Sequence, residues 1–227
     1  MRYYPVNLDI KDRPCLVVGG GSVGTRKVIN LLRCGAKITV VSPVLSERLQ
    51  TLAAEGSIVI KPRVYQTADL EGVFLVIGAT SDESTNRRIS KDAEKLNMLC
   101  NIVDRPEVCN FILPAIIQRG DLVITVSTSG TSPAFAKKLR QTLEGQFGDE
   151  YGRLLQLMGA IRQKLLSVDH EPEAHKNLFE KLVNSDLLDL VREHKAADIN
   201  ALLGSVLGQG FRYEALMDTD SHRPPEK

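Results

Sequence analysis

The hexapeptide Gly19-Gly20-Gly21-Ser22-Val23-Gly24 has the spacing GxGxxG. It follows the apolar run Cys15-Leu16-Val17-Val18 and opens residues 23–33. There Val23, Val28, Leu31 and Leu32 are interleaved with Arg26, Lys27 and Arg33, as on an amphipathic helix. A strand, a glycine turn and a helix in that order are the context in which the motif binds a dinucleotide. Gly19 permits the tight turn, Gly21 lets a pyrophosphate approach the main chain, and Gly24 lets helix and strand pack closely. Ser22 and Val23 stand at the helix N-terminus, where free N–H groups meet the phosphates. The plainer reading is a glycine-rich turn that binds nothing, and the context weighs against it.

Three further segments carry candidate chemistry. The acidic residue that usually meets the ribose is replaced by Ser42-Pro43, so the residues alone leave NAD and NADP open, with Arg48 nearby. Gly78-Ala79-Thr80-Ser81-Asp82 ends an expected strand. Its small residues would let a cofactor lie close to Ala79 and Thr80, or Ser81 or Asp82 would simply cap the next helix. Asp104 leaves the end of a fifth expected strand, where a carboxylate could act as a general base or merely sit in a solvated turn before Pro106. The hydroxyl-rich residues 127–132 lead through Ser132-Pro133 into Lys137, Lys138 and Arg140. That is either an anion site or a well-capped helix with a basic face. His170 and His175 fall in a polar stretch, 167–175, that reads as a surface linker rather than a metal site. Cys15, Cys34, Cys100 and Cys109 form no CxxC pair and read as small hydrophobic residues.

These candidates need a scaffold, and the pattern supplies one. Strands are expected at 15–18, 37–41, 58–60, 73–77 and 99–103, with helices at 23–33, 46–55 and 83–95. That alternation predicts an α/β domain, a parallel sheet covered on both faces. After about residue 113 the pattern changes: a strand at 122–126, a helix from Pro133, then only helical spacing from Tyr151 onward. Composition narrows the function. The chain has 227 residues, 29 Lys+Arg against 28 Asp+Glu, 5% aromatics and no Trp. Such a balance disfavours a dedicated nucleic-acid binder and a base-stacking platform. No apolar run nears the roughly 18 residues of a membrane helix, and residues 1–7 lack a signal-peptide core, so a cytoplasmic protein is expected.

Taken together and in order, these segments resemble the family of precorrin-2 dehydrogenase, also found as the N-terminal module of sirohaem synthase. The resemblance rests on Tyr4-Pro5-Val6, residues 15–24, Arg26-Lys27, Ala79-Thr80, residues 100–104, Phe111-Ile112-Leu113-Pro114-Ala115 and residues 127–133. It covers about residues 1–150 strongly. It implies a Rossmann-type NAD-binding domain over 1–113, a dimerisation region over 114–150, an all-helical domain over 151–217, and a disordered tail over 218–227. It implies a homodimer that uses NAD to oxidise the tetrapyrrole precorrin-2 to sirohydrochlorin, with Asp104 as the catalytic carboxylate. Some members also insert ferrous iron into the product, which leaves that second activity open and calls for no resident metal. Arg105, Ser127, Thr128, Ser129 and Lys137 would answer the carboxylates of the substrate. Thr25 and Thr128-Ser129 depart from the family's usual residues, and no uroporphyrinogen methyltransferase domain is expected after the helical part. The rival expectations are an NAD-sensing regulatory module without catalysis and a dehydrogenase of a small acid.

Overall fold

The computed structural model describes residues 2–168 and 172–218. They divide into two units. One runs from the N-terminus to Leu113 and includes Ser129–Thr131; the other comprises Pro114–Thr128 and the chain from Ser132 onward.

The first unit is built on β1 (Pro14–Gly20), buried from Cys15 to its end. A strand that is apolar at every position, rather than at alternate ones, belongs in the middle of a sheet covered on both faces. It is followed by α1 (Ser22–Arg33), β2 (Lys37–Leu45), α2 (Glu47–Ala54), β3 (Val59–Lys61), β4 (Leu75–Gly78), α3 (Glu83–Lys95) and β5 (Leu99–Ile102). The five strands are parallel in the order β3-β2-β1-β4-β5. The order reverses beside β1, and in such sheets ligands bind beyond the strands' C-terminal ends at that reversal. Side chains alternate between two cores. Cys15, Val17, Ile38, Val40, Leu75 and Ile77 pack with Val28, Leu31, Leu49 and Leu52 of α1 and α2. Leu16, Val18, Val41, Val76, Cys100 and Ile102 pack with Ile89 and Ala93 of α3 and with Tyr65 and Leu70.

Strand β2 runs past its expected end at Val41. Its pairing with β1 shifts register between Val18 and Gly20, and Ser42-Pro43-Val44 bulges out before Leu45 rejoins Gly20. A proline is tolerated at such an irregularity because no ladder hydrogen bond is asked of it.

In the second unit β6 (Ala115–Arg119) and β7 (Leu122–Val126) pair antiparallel around Gly120-Asp121. Gly120 takes the positive φ, 55°, that the first position of a tight two-residue turn favours. The helices α4 (Pro133–Glu144), α5 (Asp149–Val168), α6 (Pro172–Val183), α7 (Leu187–Arg192), α8 (Ala196–Leu207) and α9 (Tyr213–Met217) follow. Leu157, Ile161, Leu182, Leu187, Val191, Ile199 and Leu203 form the core of α5 to α8. The expected linker at 167–175 is corrected here. Residues 169–171 lie outside the described residues, but α6 begins at Pro172 and His175 is buried. His175, Leu178, Phe179 and Leu182 are spaced i, i+3, i+4, i+7, so the histidine shares the stripe of a packed helix. The expected tail lies, beyond Asp218, outside the described residues.

Candidate functional site

The glycine turn joins β1 to α1 at the C-terminal edge of the sheet. Gly19 has φ +118°, and a Cβ there would stand 2.4 Å from the Ala79 carbonyl oxygen and 2.8 Å from the Thr80 nitrogen. The turn thus lies flat against the exit of β4, and only glycine allows it. A Cβ on Gly24 would stand 2.0 Å from the Gly19 carbonyl oxygen, the close approach of helix to strand expected of the third glycine. Gly21 differs from both. It is the N-cap of α1 in an extended conformation, φ −77°, and a Cβ there meets nothing within 4 Å. No side chain caps α1 and no acidic residue occupies its first turn. The open approach at Gly21, with main-chain donors behind it at Ser22 and Val23, fits the pyrophosphate of a dinucleotide.

The flanking candidates are arranged unequally. Ala79 is fixed by its N–H, which donates to the Val18 carbonyl at 2.7 Å. Asp82 caps α3, accepting from the Ser84 and Thr85 amides at 3.1 and 3.2 Å. Hydrogen bonds from Thr85 and Ser84 hold its carboxyl below the usual range. At 42–43 the expectation is altered. Ser42 is 6% exposed and its hydroxyl donates to the Val44 carbonyl at 2.6 Å. That leaves the hydroxyl only as an acceptor, while Pro43 stands exposed in the bulge.

Asp104 follows β5 in a turn with φ +61°, a left-handed conformation that aspartate tolerates better than most residues. Its carboxylate is exposed. Lys27, in the second turn of α1, is half buried. Burial and Arg26 press its ammonium below the usual range, and the Asp104 carboxylate opposes them. Asp104 is therefore within electrostatic reach of the helix that the glycine turn opens. Next to it, Arg105 donates to Glu83 at 2.6 Å, and Glu83 also pairs with Arg87 at 2.7 Å. The Arg105 charge expected to meet substrate is partly answered within the fold.

The turn bearing Asp104 is pinned by Asn110, which sequence reading passed over, and by Cys109, expected only as a small hydrophobic residue. Strand β5 is an edge, and its outward main-chain groups are satisfied by Asn110, through side chain and main chain, and by Cys109. Asn110 donates to the Met98 carbonyl at 2.7 Å and accepts from the Cys100 amide at 2.8 Å. The Cys109 sulfur accepts from the Ile102 amide at 3.0 Å, and it lies 3.2 and 3.1 Å from the Ile102 and Arg105 carbonyls as a donor. Burial pushes the Cys109 thiol up and that of Cys100 to about 12, so both stay protonated and can donate. Cys15 is buried too, whereas Cys34 is exposed, contrary to the hydrophobic role expected of all four.

Thr128 Oγ1 accepts from the Ser132 amide at 3.1 Å, and Ser132 caps α4 by accepting from Phe135. Ser129, at φ 54°, and Gly130, at φ 85°, form the turn between them. Ser127 and Lys137 are exposed. Among the described residues no three His, Cys, Asp or Glu side chains come together as a metal site, and no helix is long and apolar enough to cross a membrane.

Comparison with known proteins agrees with this geometry. Residues 6–115 match a family model described as "Putative NAD(P)-binding", and residues 119–146 match one described as "Sirohaem biosynthesis protein central". The sirohaem synthase of Methylococcus capsulatus is 34% identical over 214 residues, 94% of this chain and 45% of that protein. That of Thioalkalivibrio sulfidiphilus is 40% identical over 190 residues, 84% of this chain and 39% of the other. Over most of its length the chain is similar to part of the sirohaem synthases. It spans less than half the length of these curated relatives. A solved structure titled "SirC, precorrin-2 dehydrogenase" is similar along 90% of this chain and 99% of its own, with a TM-score of 0.74 and 28% identity. The similarity to that structure thus extends beyond the sheet domain and includes helical residues that carry no motif.

Proposed function

We propose that the chain oxidises precorrin-2 to sirohydrochlorin with NAD as acceptor. The observation that carries this reading is the open Gly21 turn and the Asp104 carboxylate on one edge of one sheet, in a chain similar to sirohaem synthases and to a precorrin-2 dehydrogenase. Bound at the turn, NAD supplies the two-electron acceptor. Gly19, Gly21, Ser22, Val23 and Gly24 would hold it, with Ala79 and Thr80 along one side and the Ser42-Pro43 bulge near the ribose. The oxidation removes a hydride and a proton from the tetrapyrrole, and Asp104 would take the proton. Precorrin-2 carries eight carboxylates; Lys137, Arg105 and the hydroxyls of Ser127, Thr128 and Ser129 would meet them.

The active form proposed is a homodimer joined through residues 114–150, acting in the cytoplasm. The domain boundaries at 113 and 150 are proposed with it. The test is anaerobic incubation with precorrin-2 and NAD, followed by visible spectra. Conversion to the sirohydrochlorin spectrum with NADH formed supports the proposal, and NAD binding without turnover favours a regulatory module. A parallel arm with ferrous iron decides whether the same chain also inserts the metal.

A further inference from the structure

We infer that Asn86 is a positioning residue for the dinucleotide, acting through the Thr80 carbonyl. Asn86 lies in the first turns of α3 and is 9% exposed. Its Nδ2 donates to the Thr80 carbonyl oxygen at 2.9 Å. Its Oδ1 is buried and meets no hydrogen-bond donor among the described residues. The amide cannot turn over to find one, because that would set Oδ1 against the Thr80 oxygen.

The surroundings explain why the orphan oxygen is there. A Cβ on Gly78 would stand 2.9 Å from Asn86 Oδ1 and 2.6 Å from Ile102 Cδ1, so the chain leaves β4 through a gap that only glycine fits. On the other side the same exit lies on Gly19, within 2.4 Å of where a Cβ would be. The segment Ala79-Thr80 is thus held at three points: by Ala79 N–H on Val18, by Thr80 Oγ1 accepting from the Asp82 amide at 3.1 Å, and by Asn86 on the Thr80 carbonyl. An apolar side chain there would bury no unmatched oxygen, and Ile89 and Ile102 line the same gap. An asparagine kept there at a cost in stability holds one main-chain carbonyl in place. That carbonyl belongs to the wall against which the glycine turn rests.

This rests on the proposed binding of NAD at the glycine turn, and the experiment separates the two. Asn86→Leu and Asn86→Asp are compared with the parent for NAD affinity by calorimetry and for thermal stability. Asn86→Leu removes the orphan oxygen together with the donor to the part-buried Thr80 carbonyl, opposing effects that should leave a cooperative melt near the parent's. Its NAD dissociation constant should rise about tenfold, the loss of one ordered hydrogen bond. Asn86→Asp keeps the shape but has no N–H to offer, and its affinity should fall at least as far. Unchanged NAD affinity in both folded variants overturns the inference. Failure of the parent chain to bind NAD overturns instead the reading on which it rests.

Discussion

At the scale of single residues, Gly21 separates binding from folding. It is the one glycine of the turn where a side chain has room, and aspartate is a favoured helix N-cap. Gly21→Asp should fold with an unchanged or slightly raised melting temperature, yet calorimetry should detect no NAD binding, because the carboxylate would stand where the pyrophosphate must. Retained affinity would remove this loop from the site. His175 makes the opposite case. Buried on the packed stripe of α6, it should cost about 1–3 kcal/mol when changed to alanine, read as a lower melting temperature, with NAD affinity unaltered. A melt identical to the parent's would return it to the surface role first expected. Its packing was legible in the spacing 175, 178, 179, 182, but the charged residues around it obscured the stripe. Asn86, Asn110 and Cys109 left no such trace. Their partners are main-chain groups, some of them ten or more positions away, and no spacing records those.

Among the elements, those with caps and clear periodicity were legible. Ser132-Pro133 opens α4, Ser46 caps α2, and α3 spans 83–95 as its pattern indicated. The hairpin strand β6 was not recognised, since a five-residue strand before a glycine turn is a weak signal by itself. The extension of β2 was hidden by Pro43, which reads as a stop. The connection from β3 to β4 also concealed a charge cluster. Asp69, its side chain 1% exposed, accepts from Arg63 at 2.6 and 2.8 Å, from Lys61 at 2.9 Å and from the Gln66 amide at 3.0 Å. The Arg63 guanidinium, with help from Lys61 and Gln66, holds its carboxyl far below the usual range. A depressed folded-state pKa stabilises the fold above the unfolded carboxylate's pKa, near 4, and that contribution is lost as pH falls toward the folded value. Asp69→Asn should therefore cost about 2 kcal/mol at neutral pH, with the gap to the parent narrowing below about pH 4. Denaturant melts across that range check it; a gap that does not change with pH would refute the assignment.

At the scale of the whole molecule, the second unit leaves apolar side chains uncovered. Ile116 and Val123, 48% and 45% exposed, share the outer face of the hairpin, and Phe135 and Leu139, four apart on α4, are 60% and 36% exposed. All four fall within the proposed dimerisation region, so light scattering at micromolar concentration should give twice the chain mass, and Phe135→Asp with Val123→Asp should give monomers. A monomeric parent would contradict that. The central claim is the reaction, and the rate of NADH appearance on anaerobic mixing with precorrin-2 and NAD tests it most directly. The parent chain should form one NADH per sirohydrochlorin, and Asp104→Ala should be slower by about 10²–10⁴-fold with NAD affinity little changed. No NADH from a parent chain that binds NAD would contradict the proposed function, and a full rate in Asp104→Ala would remove that carboxylate from it.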